Sequence, residues 1–316
     1  MPETKSGIAK TASQVRDVQA DITHKISAHI LRDGRESSCI SGLSLYRRAA
    51  PTNCTSAAYE PELIVFVQGE KQINVGETTL VCDKSTFLLT SIDMPVISQV
   101  TKASRVEPIL ALILRLDMPT IRDIISKEEF QLAEQTSVTR GMVIGESSAE
   151  LLGSCSRLLD LLDAPQDIPF MSDLIQREIF YRLLHGPQGK HLRAIATLGE
   201  QSNRTAKAVA WLRENYTKPL RVEDLASIAQ MGVSTLHHHF RSLTAMSPLQ
   251  YQKQLRLHTA RMRMLTDGLD AASAAFEVGY ESPSQFSREY SRFFGQPPIR
   301  DIKAHKVSND SIALSA

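Results

Sequence analysis

Two short segments near the C-terminal end of the 316-residue chain carry polar and basic side chains suited to contact with DNA. The first, Ser234–Arg241, contains three consecutive histidines, and the second, Ser284–Arg292, contains a glutamine and two arginines. These side chains can donate hydrogen bonds to base edges and phosphates. For such contacts, each segment must form a helix that its neighbours hold against the major groove.

The residues around the first segment predict a helix-turn-helix. Apolar residues recur at helical spacing within residues 221–229, which indicates a short amphipathic helix. Residues 230–232 turn the chain, and Ser234 is the predicted N-cap of a second helix that continues through Leu243.

A second helix-turn-helix follows the first. Small residues predict a helix over residues 271–278, residues 279–283 form the turn, and residues 284–294 predict the second helix, with Gly295 as its C-cap. Between the two units, residues 248–265 predict a connecting helix about 25 Å long. That length can hold two helices near the ~34 Å that separates successive major grooves on one face of B-DNA.

Four stretches of this region carry recurrent motifs: Leu236–Arg241, Met246–Tyr251, Leu255–Leu257 and Glu277–Arg288. They resemble the tandem helix-turn-helix domain of AraC-family transcription regulators. The resemblance implies an all-α DNA-binding domain, with double-stranded promoter DNA and RNA polymerase as partners.

The resemblance also implies which side chains contact the DNA. They are Ser234, Thr235, His237, His238 and Arg241 in the first unit, and Pro283, Ser284, Gln285, Arg288 and Arg292 in the second. The Arg288 guanidinium suits bidentate reading of guanine O6 and N7, and the Gln285 amide suits adenine or a phosphate. His238 stands where many family members carry arginine, so its contact is shorter. A metal site formed by three consecutive histidines is disfavoured, because successive helical side chains point in different directions.

Residues 42–116 predict a β domain, because short apolar segments alternate with turn residues. Gly69-Glu70 and Gly76-Glu77 are predicted hairpin turns. The predicted strands are residues 43–46, 63–68, 72–75, 78–81, 86–90, 96–100 and 109–114. Strands at this spacing favour a small barrel or sandwich.

Residues 59–71 and 91–95 resemble the cupin-like N-terminal domain of one AraC-family branch, which implies that this domain senses a signal. The predicted fold class is α+β, with an N-terminal cupin-like β-barrel, a helical connector and a C-terminal all-α tandem helix-turn-helix domain. The predicted division is an N-terminal extension (residues 1–37), the sensor domain (38–118), the connector with a candidate dimerisation region (119–200), the DNA-binding domain (201–302) and a C-terminal tail (303–316).

Five residues are candidates for sensing. Phe66, Gln68 and Arg115 are candidates to line a ligand pocket, although strand alternation alone leaves the inward face open. Cys82 and Cys54 are candidate sensors of oxidants or electrophiles, provided that the thiol is exposed and its pKa is lowered. Each cysteine also suits a small apolar core position.

Charge and residue usage limit the function classes. Residues 201–316 carry 15 Lys+Arg against 10 Asp+Glu, whereas residues 1–200 carry 21 against 25, so the nucleic-acid partner is assigned to the C-terminal part. No histidine lies between Ile30 and Leu184, which disfavours a cupin metalloenzyme with histidine ligands. The chain shows no nucleophile elbow, phosphate-binding glycine loop or paired-acid motif, so we expect neither an enzyme nor a cofactor.

The sequence also bears on location. No apolar run approaches the length of about 20 residues that a membrane span needs, and residues 1–20 lack the apolar stretch of a signal peptide. The four cysteines show no disulfide-rich spacing. We therefore expect a cytoplasmic protein with no membrane partner.

These observations predict a sequence-specific transcription regulator whose N-terminal domain senses a small-molecule or electrophile signal. One alternative is a ligand-independent DNA-binding protein whose barrel only dimerises or binds a protein partner. Another is an enzyme that carries a DNA-binding tail. A homodimer is expected through the connector region, since the family resemblance favours an interface for its leucine stripe. The stripe consists of Leu151, Leu152, Leu158, Leu159, Leu161 and Leu162.

Overall fold

The computed structural model describes residues 3–52, 55–75, 78–90, 94–128, 141–196 and 200–304. The chain divides into two compact units. The first contains residues 1–53 and 59–199, and the second contains residues 54–58 and 200–316. Within the described ranges, no helix combines the length and apolar character needed to cross a membrane.

The first unit combines strands with helices. Its strands are β1 (Gly34–Ser37), β2 (Leu43–Arg48), the last residue of β3 (Thr55–Tyr59), β4 (Glu62–Gln68), β5 (Glu70–Val75), β6 (Thr78–Asp83), β7 (Thr86–Thr90), β8 (Met94–Lys102), β9 (Ile109–Arg115) and β10 (Met142–Glu146). Its helices are α1 (Glu3–His29), α2 (Met118–Lys127), α3 (Ala149–Asp160), α4 (Ile168–His185) and α5 (Gly189–Ala196).

The strands form two sheets, in the orders β1-β2-β9-β4-β7-β10 and β3-β8-β5-β6. All seven predicted strands are confirmed. The predicted hairpin at Gly69-Glu70 is wrong, because β4 and β5 belong to different sheets. Gly69 instead turns the chain between sheets with φ of 80°, and a Cβ there would lie 2.6 Å from the Ile109 Cβ. In the second predicted hairpin Val75 pairs with Thr78, while Gly76 and Glu77 lie outside the described residues.

Both faces of β4 are buried. Leu63, Val65 and Val67 join a core cluster that extends to the helices. Ile64 and Phe66 alternate with them and are also buried, with exposures of 3% and 1%. Because a strand covered on both sides shows no polar face, its sequence cannot reveal which side faces the second sheet.

The segment predicted as an N-terminal extension contributes a core helix. Ile22, Ile26 and Ile30 are spaced by four residues and are buried in the cluster that includes α3. Lys25 Nζ donates a hydrogen bond of 2.7 Å to Ser156 Oγ on α3. The regular isoleucine spacing was a helical signal that the sequence contained.

The connector is only partly helical. Helices α2, α3 and α4 lie in this region, and Leu152, Leu158 and Leu159 of α3 are completely buried. However, β10 lies within this region and pairs antiparallel with β7, with Met142 opposite Thr90. The predicted helical connector therefore also contains a strand, which the sequence did not indicate because a strand that completes a sheet edge depends on a distant partner.

The second unit is helical, apart from β3 residues 55–58. Its helices are α6 (Glu200–Glu214), α7 (Val222–Ile228), α8 (Val233–Thr244), α9 (Pro248–Thr266), α10 (Ala271–Glu277) and α11 (Pro283–Phe294). A helical segment at residues 298–304 follows. Helix α9 begins with a capping box, in which Ser247 and Gln250 exchange hydrogen bonds of 3.2 and 2.9 Å.

One arginine of α9 joins distant parts of this unit. Arg256 donates hydrogen bonds to the carbonyl oxygens of Tyr216, Lys218 and Gly279 at 2.6, 2.9 and 2.9 Å. Gly279 also approaches the Thr217 carbonyl so closely that a Cβ would lie 2.0 Å from its oxygen. The second helix-turn-helix is thus joined to the loop after α6. The contacts depend on the long guanidinium side chain of Arg256 and on the absence of a Cβ at Gly279.

His258 of α9 is buried against the rings of Phe293 and Phe294, with centroid distances of 5.3 and 5.8 Å. Neither ring nitrogen has a hydrogen-bond partner in the described part of the chain. Burial, followed by the charge of Arg261, lowers the His258 pKa to about 3. The folded protein therefore holds a neutral imidazole across the acidic range in which an unfolded histidine takes up a proton.

We expect the second unit to lose stability below about pH 6.5, because His258 binds a proton in the unfolded state but stays neutral in the folded state. The loss of unfolding free energy attributable to His258 approaches about 1.4 kcal/mol per pH unit, and it stops near the pKa of the folded residue. His258→Phe should remove this contribution and raise stability at neutral pH by about 1 kcal/mol, since it removes unpaired buried nitrogens. Urea unfolding of the full chain, followed by Trp211 fluorescence between pH 4 and 8, measures both effects. An identical pH profile in wild type and variant would contradict the assignment.

Candidate nucleic-acid interface

The first helix-turn-helix consists of α7 and α8. Its turn uses Gln230 in the left-handed region, with φ of 52°, and the Met231 amide donates to the Ala226 carbonyl at 2.9 Å. Gly232 is the N-cap of α8, so the prediction of Ser234 as N-cap is wrong. Ser234 lies inside the first helical turn because the extended conformation ends two residues earlier.

The second helix-turn-helix consists of α10 and α11. Gly279 adopts φ of 89°, and the Tyr280 amide donates to the Ala275 carbonyl at 2.9 Å. Ser282 caps α11 by accepting a hydrogen bond from the Gln285 amide at 3.3 Å. This turn, residues 278–282, is one residue longer than the turn of the first unit, residues 229–232. In both turns the second residue, Gln230 or Gly279, has a left-handed backbone.

Helices α8 and α11 are counterparts of 12 residues each. Each is followed by a C-cap residue in the left-handed conformation, Ala245 or Gly295. When the helices are aligned at their first residues, the buried Phe240 corresponds to the buried Tyr290. In the same alignment, His238 corresponds to Arg288.

The five predicted contact residues of the first unit lie on the outer face of α8. Ser234, Thr235, His237, His238 and Arg241 are all exposed. Leu236, Phe240 and Leu243 lie between them and are buried. The structure therefore brings the predicted residues together on one surface. The side chain of Arg241 has no hydrogen bond or ion pair with any described residue, so its guanidinium can bind an external anion.

The predicted residues of the second unit form a similar surface on α11. Ser284, Gln285, Arg288 and Arg292 are exposed, and Pro283 is half-buried. An open surface pocket is lined by Pro283, Ser284, Ser287 and Arg288. Neither arginine is paired within the described ranges.

Gln285 differs from its arginine neighbours in being engaged within the protein. Its Nε2 donates to Glu289 Oε1 at 3.2 Å. Glu289 also accepts a hydrogen bond from the Tyr280 hydroxyl at 2.9 Å and faces Lys253 Nζ at 3.5 Å. The amide is therefore oriented along the helix before any ligand arrives.

The predicted ligand-pocket residues occupy different environments. Phe66 is buried, whereas the Gln68 side-chain amide donates to the Pro108 carbonyl at 2.7 Å. Arg115 is exposed at the end of β9, outside the buried interior of the sheet domain, and its role in a ligand pocket stays a prediction. The strand ends there, and a long charged side chain at a strand end remains in water. The sequence reasoning did not single out Lys71 of β5, although this residue alternates with the buried Ile73 and Val75.

Burial contradicts the proposed reactivity of Cys82. Its side chain is completely buried, and burial raises the thiol pKa to about 12. A protonated, inaccessible thiol is a poor nucleophile. Cys54 lies outside the described residues. Among the described residues, no cluster of three or more His, Cys, Asp or Glu side chains is placed to hold a metal.

Comparison with known proteins supplies family context. A family model described as AraC-type transcriptional regulator N-terminus matches residues 39–191, and one described as helix-turn-helix domain matches residues 225–303. The chain is similar to the transcriptional regulator ExsA of Pseudomonas aeruginosa, with 26% identity over 50% of this chain and 56% of ExsA. It is also similar to the transcriptional activator RhaS of Yersinia pestis, with 29% identity over 33% of this chain and 38% of RhaS.

The matches therefore span less than two thirds of the length of these curated relatives. Among solved structures, ToxT from Vibrio cholerae has 11% identity and a TM-score of 0.52, covering 82% of this chain and 97% of ToxT. This likeness shows the fold: a β-sheet domain followed by a helical domain. Together, the two family models cover both the sheet domain and the paired helix-turn-helix units, and the chain belongs to the AraC family of transcription regulators.

Proposed function

We propose that this chain is a sequence-specific regulator of transcription that binds double-stranded promoter DNA through α8 and α11. The observation that carries the proposal is the correspondence of these helices, each anchored by buried residues and exposing His238 or Arg288 at the same position. A pair of such helices can read two successive major-groove segments. RNA polymerase is the proposed protein partner, on the basis of family membership.

The proposed contacts divide between bases and phosphates. Arg288 and His238 read base edges, Gln285 reads adenine or a phosphate, and the other exposed residues position the helices on the backbone. These other residues are Ser234, Thr235, His237, Arg241, Pro283, Ser284 and Arg292.

Genome-wide capture of DNA fragments by the purified full-length protein, at fixed salt, tests the proposal. We expect discrete sites that are lost in a His238→Ala/Arg288→Ala double variant. A Lys102→Ala variant, altered at an exposed side chain of β8 in the first unit, should retain the same sites. Equal capture of all fragments by all three proteins would reject sequence-specific binding.

We further propose that the first unit senses a small molecule and changes DNA occupancy or polymerase recruitment. The family model for residues 39–191 supports this proposal. The alternative is a ligand-independent protein whose sheet domain only dimerises or binds a protein. Thermal-shift screening with metabolites separates the two, because only a sensor gains stability from a ligand.

The proposal includes the predicted division of the chain, with sensing at residues 38–118, a connector at 119–200 and DNA binding at 201–302. Relatives that regulate transcription support a non-enzymatic role. Because its proposed binding partner is promoter DNA, we propose that the protein acts in the cytoplasm. Turnover that survived removal of residues 201–316 would instead support an enzyme with a DNA-binding tail.

A homodimer through α4 is also proposed. Phe170, Met171, Leu174 and Tyr181 are exposed by 74%, 38%, 50% and 40%, and Phe170, Leu174 and Tyr181 recur along one side of the helix. Apolar faces of this kind mark interaction surfaces. Leu174→Glu should raise the dimer dissociation constant at least about tenfold, which corresponds to about 1.4 kcal/mol. Sedimentation equilibrium measures it, with exposed Leu31→Glu as the matched control. A wild type that remains monomeric at every concentration would contradict the dimer.

A further inference from the structure

The side-chain amide of Gln285 faces a carboxylate on its own helix. Gln285 is exposed in the first turn of α11, and its Nε2 donates a hydrogen bond of 3.2 Å to Oε1 of Glu289, one turn further along. An ionised carboxylate has only acceptor atoms, so the amide atom that faces it is the nitrogen. The amide carbonyl and the second N–H of Gln285 therefore remain for an external partner.

The other carboxylate oxygen of Glu289 is held from two sides. Its Oε2 accepts a hydrogen bond of 2.9 Å from the Tyr280 hydroxyl and lies 3.5 Å from Lys253 Nζ of α9. The Tyr280 ring packs edge-on against Phe286, with 5.3 Å between the centroids. Burial raises the pKa of Glu289, but the hydrogen bonds from Gln285 and Tyr280 outweigh burial, and the pKa lies below its usual value. The carboxylate is thus ionised at neutral pH and fixed in place before DNA binds.

The groups that remain on Gln285 match one base edge in the major groove. Adenine presents an amino donor at N6 and an acceptor at N7, and the Gln285 amide offers an acceptor and a donor side by side. Guanine presents two acceptors, O6 and N7, so one of them would face the amide carbonyl oxygen. A phosphate accepts hydrogen bonds and donates none, and the nearby Glu289 carboxylate repels its negative charge.

We propose that Glu289 is a positioning residue that makes Gln285 a reader of adenine. The carboxylate holds the amide nitrogen towards Glu289 and leaves the amide carbonyl free to accept from adenine N6. The position of Gln285 suits this role, because the N-terminal residues of a recognition helix contact base edges. This inference rests on the proposed DNA-binding function, and it selects adenine over phosphate as the partner of Gln285.

Competition binding of the full-length protein to a captured genomic site tests the adenine contact. Each base pair of the site is replaced in turn by the other three. Gln285→Ala should relax the preference at one base pair, and at that base pair the wild type should prefer adenine over guanine at least about tenfold. A preference for another base there, or no base pair whose preference depends on Gln285, would overturn the proposal.

Glu289→Gln tests the positioning. The new amide can donate as well as accept, so the Gln285 amide can adopt either orientation. The ratio of adenine affinity to guanine affinity at that base pair should fall at least about threefold. The preference at the base pair identified by Arg288→Ala should stay as in the wild type. In a Gln285→Ala background, Glu289→Gln should change neither preference, because no amide is left to orient.

Two results would contradict the positioning role. An unchanged adenine-to-guanine ratio in Glu289→Gln would show that the carboxylate does not select the base. An equal loss of preference at the Gln285 and Arg288 base pairs would show that Glu289 only supports α11 as a whole.

Glu277→Gln is the charge-matched control. It removes a carboxylate from the same unit, at an exposed side chain of α10 that pairs with Arg263 at 2.7 Å, and it should leave the adenine-to-guanine ratio unchanged. A ratio that fell equally in Glu277→Gln and Glu289→Gln would assign the effect to net charge and overturn the proposal.

The same measurements separate this inference from the proposed function. If the wild type captures no discrete site, both the regulatory proposal and the role of Glu289 fail. If the wild type discriminates other base pairs but none through Gln285, only the role of Glu289 fails.

Discussion

Replacement of Asp301 with asparagine is expected to lower the free energy of unfolding of the second unit by about 3–5 kcal/mol. Asp301 accepts hydrogen bonds from Arg261 Nε and Nη2 at 2.7 and 2.9 Å, and from the Tyr290 hydroxyl at 2.6 Å. Arg261 is only 2% exposed. The amide retains the shape of the carboxylate but leaves a buried guanidinium without its counter-charge.

An exposed ion pair of the same length provides the control. Arg263 Nη1 lies 2.7 Å from Glu277 Oε2, with both side chains more than 40% exposed. Glu277→Gln should cost no more than about 1 kcal/mol, because water already solvates both groups. Urea unfolding followed by fluorescence reports on this unit, since the single tryptophan is Trp211 of α6. An equal loss of unfolding free energy in the two variants would show that burial does not make the loss of the Asp301 charge more destabilising.

The consequence of Asp301→Asn extends to DNA binding. Tyr290 belongs to α11, and its hydroxyl joins this helix to the Arg261 and Asp301 pair. Loss of the pair loosens the anchor of the helix that carries Arg288.

Arg288→Ala is expected to weaken binding to a specific site by about 1–3 kcal/mol and to relax the preference at one base position. The side chain is exposed on α11, has no partner among the described residues, and lines the open pocket beside Ser284. Its fork of donors is therefore free to pair with guanine O6 and N7. Competition binding with a set of single-base variants of a captured site measures the change.

Arg263→Ala is the matched control for Arg288→Ala. It removes one exposed arginine from the same unit, outside α8 and α11, and should change specific binding by less than Arg288→Ala does. Equal loss of affinity on specific and random duplexes would instead make Arg288 a phosphate contact. In that case the slope of affinity against salt should fall by about one unit, because one counterion fewer is released.

The predictability of the interface differed between its parts. The helices α8, α9 and α11 follow from apolar spacing, which depends on residues within one or two turns. The exposed position of Arg288 follows from the same spacing, because Phe286 and Tyr290 take the buried side. The start of α8 was displaced by two residues, since Gly232 offers an extended backbone before the predicted Ser234 cap.

The sequence by itself determined the local elements of this protein: the seven strands of the β domain, the paired helix-turn-helix units and the helix between them. Its periodicities and turn residues act over a few neighbouring residues, so they need no tertiary information. Only the tertiary structure decided how Asp301 meets Arg261, how β10 joins β7, and that Lys71 faces Tyr46. These contacts join residues far apart in the chain or strands buried on both faces, where alternation does not distinguish the two sides.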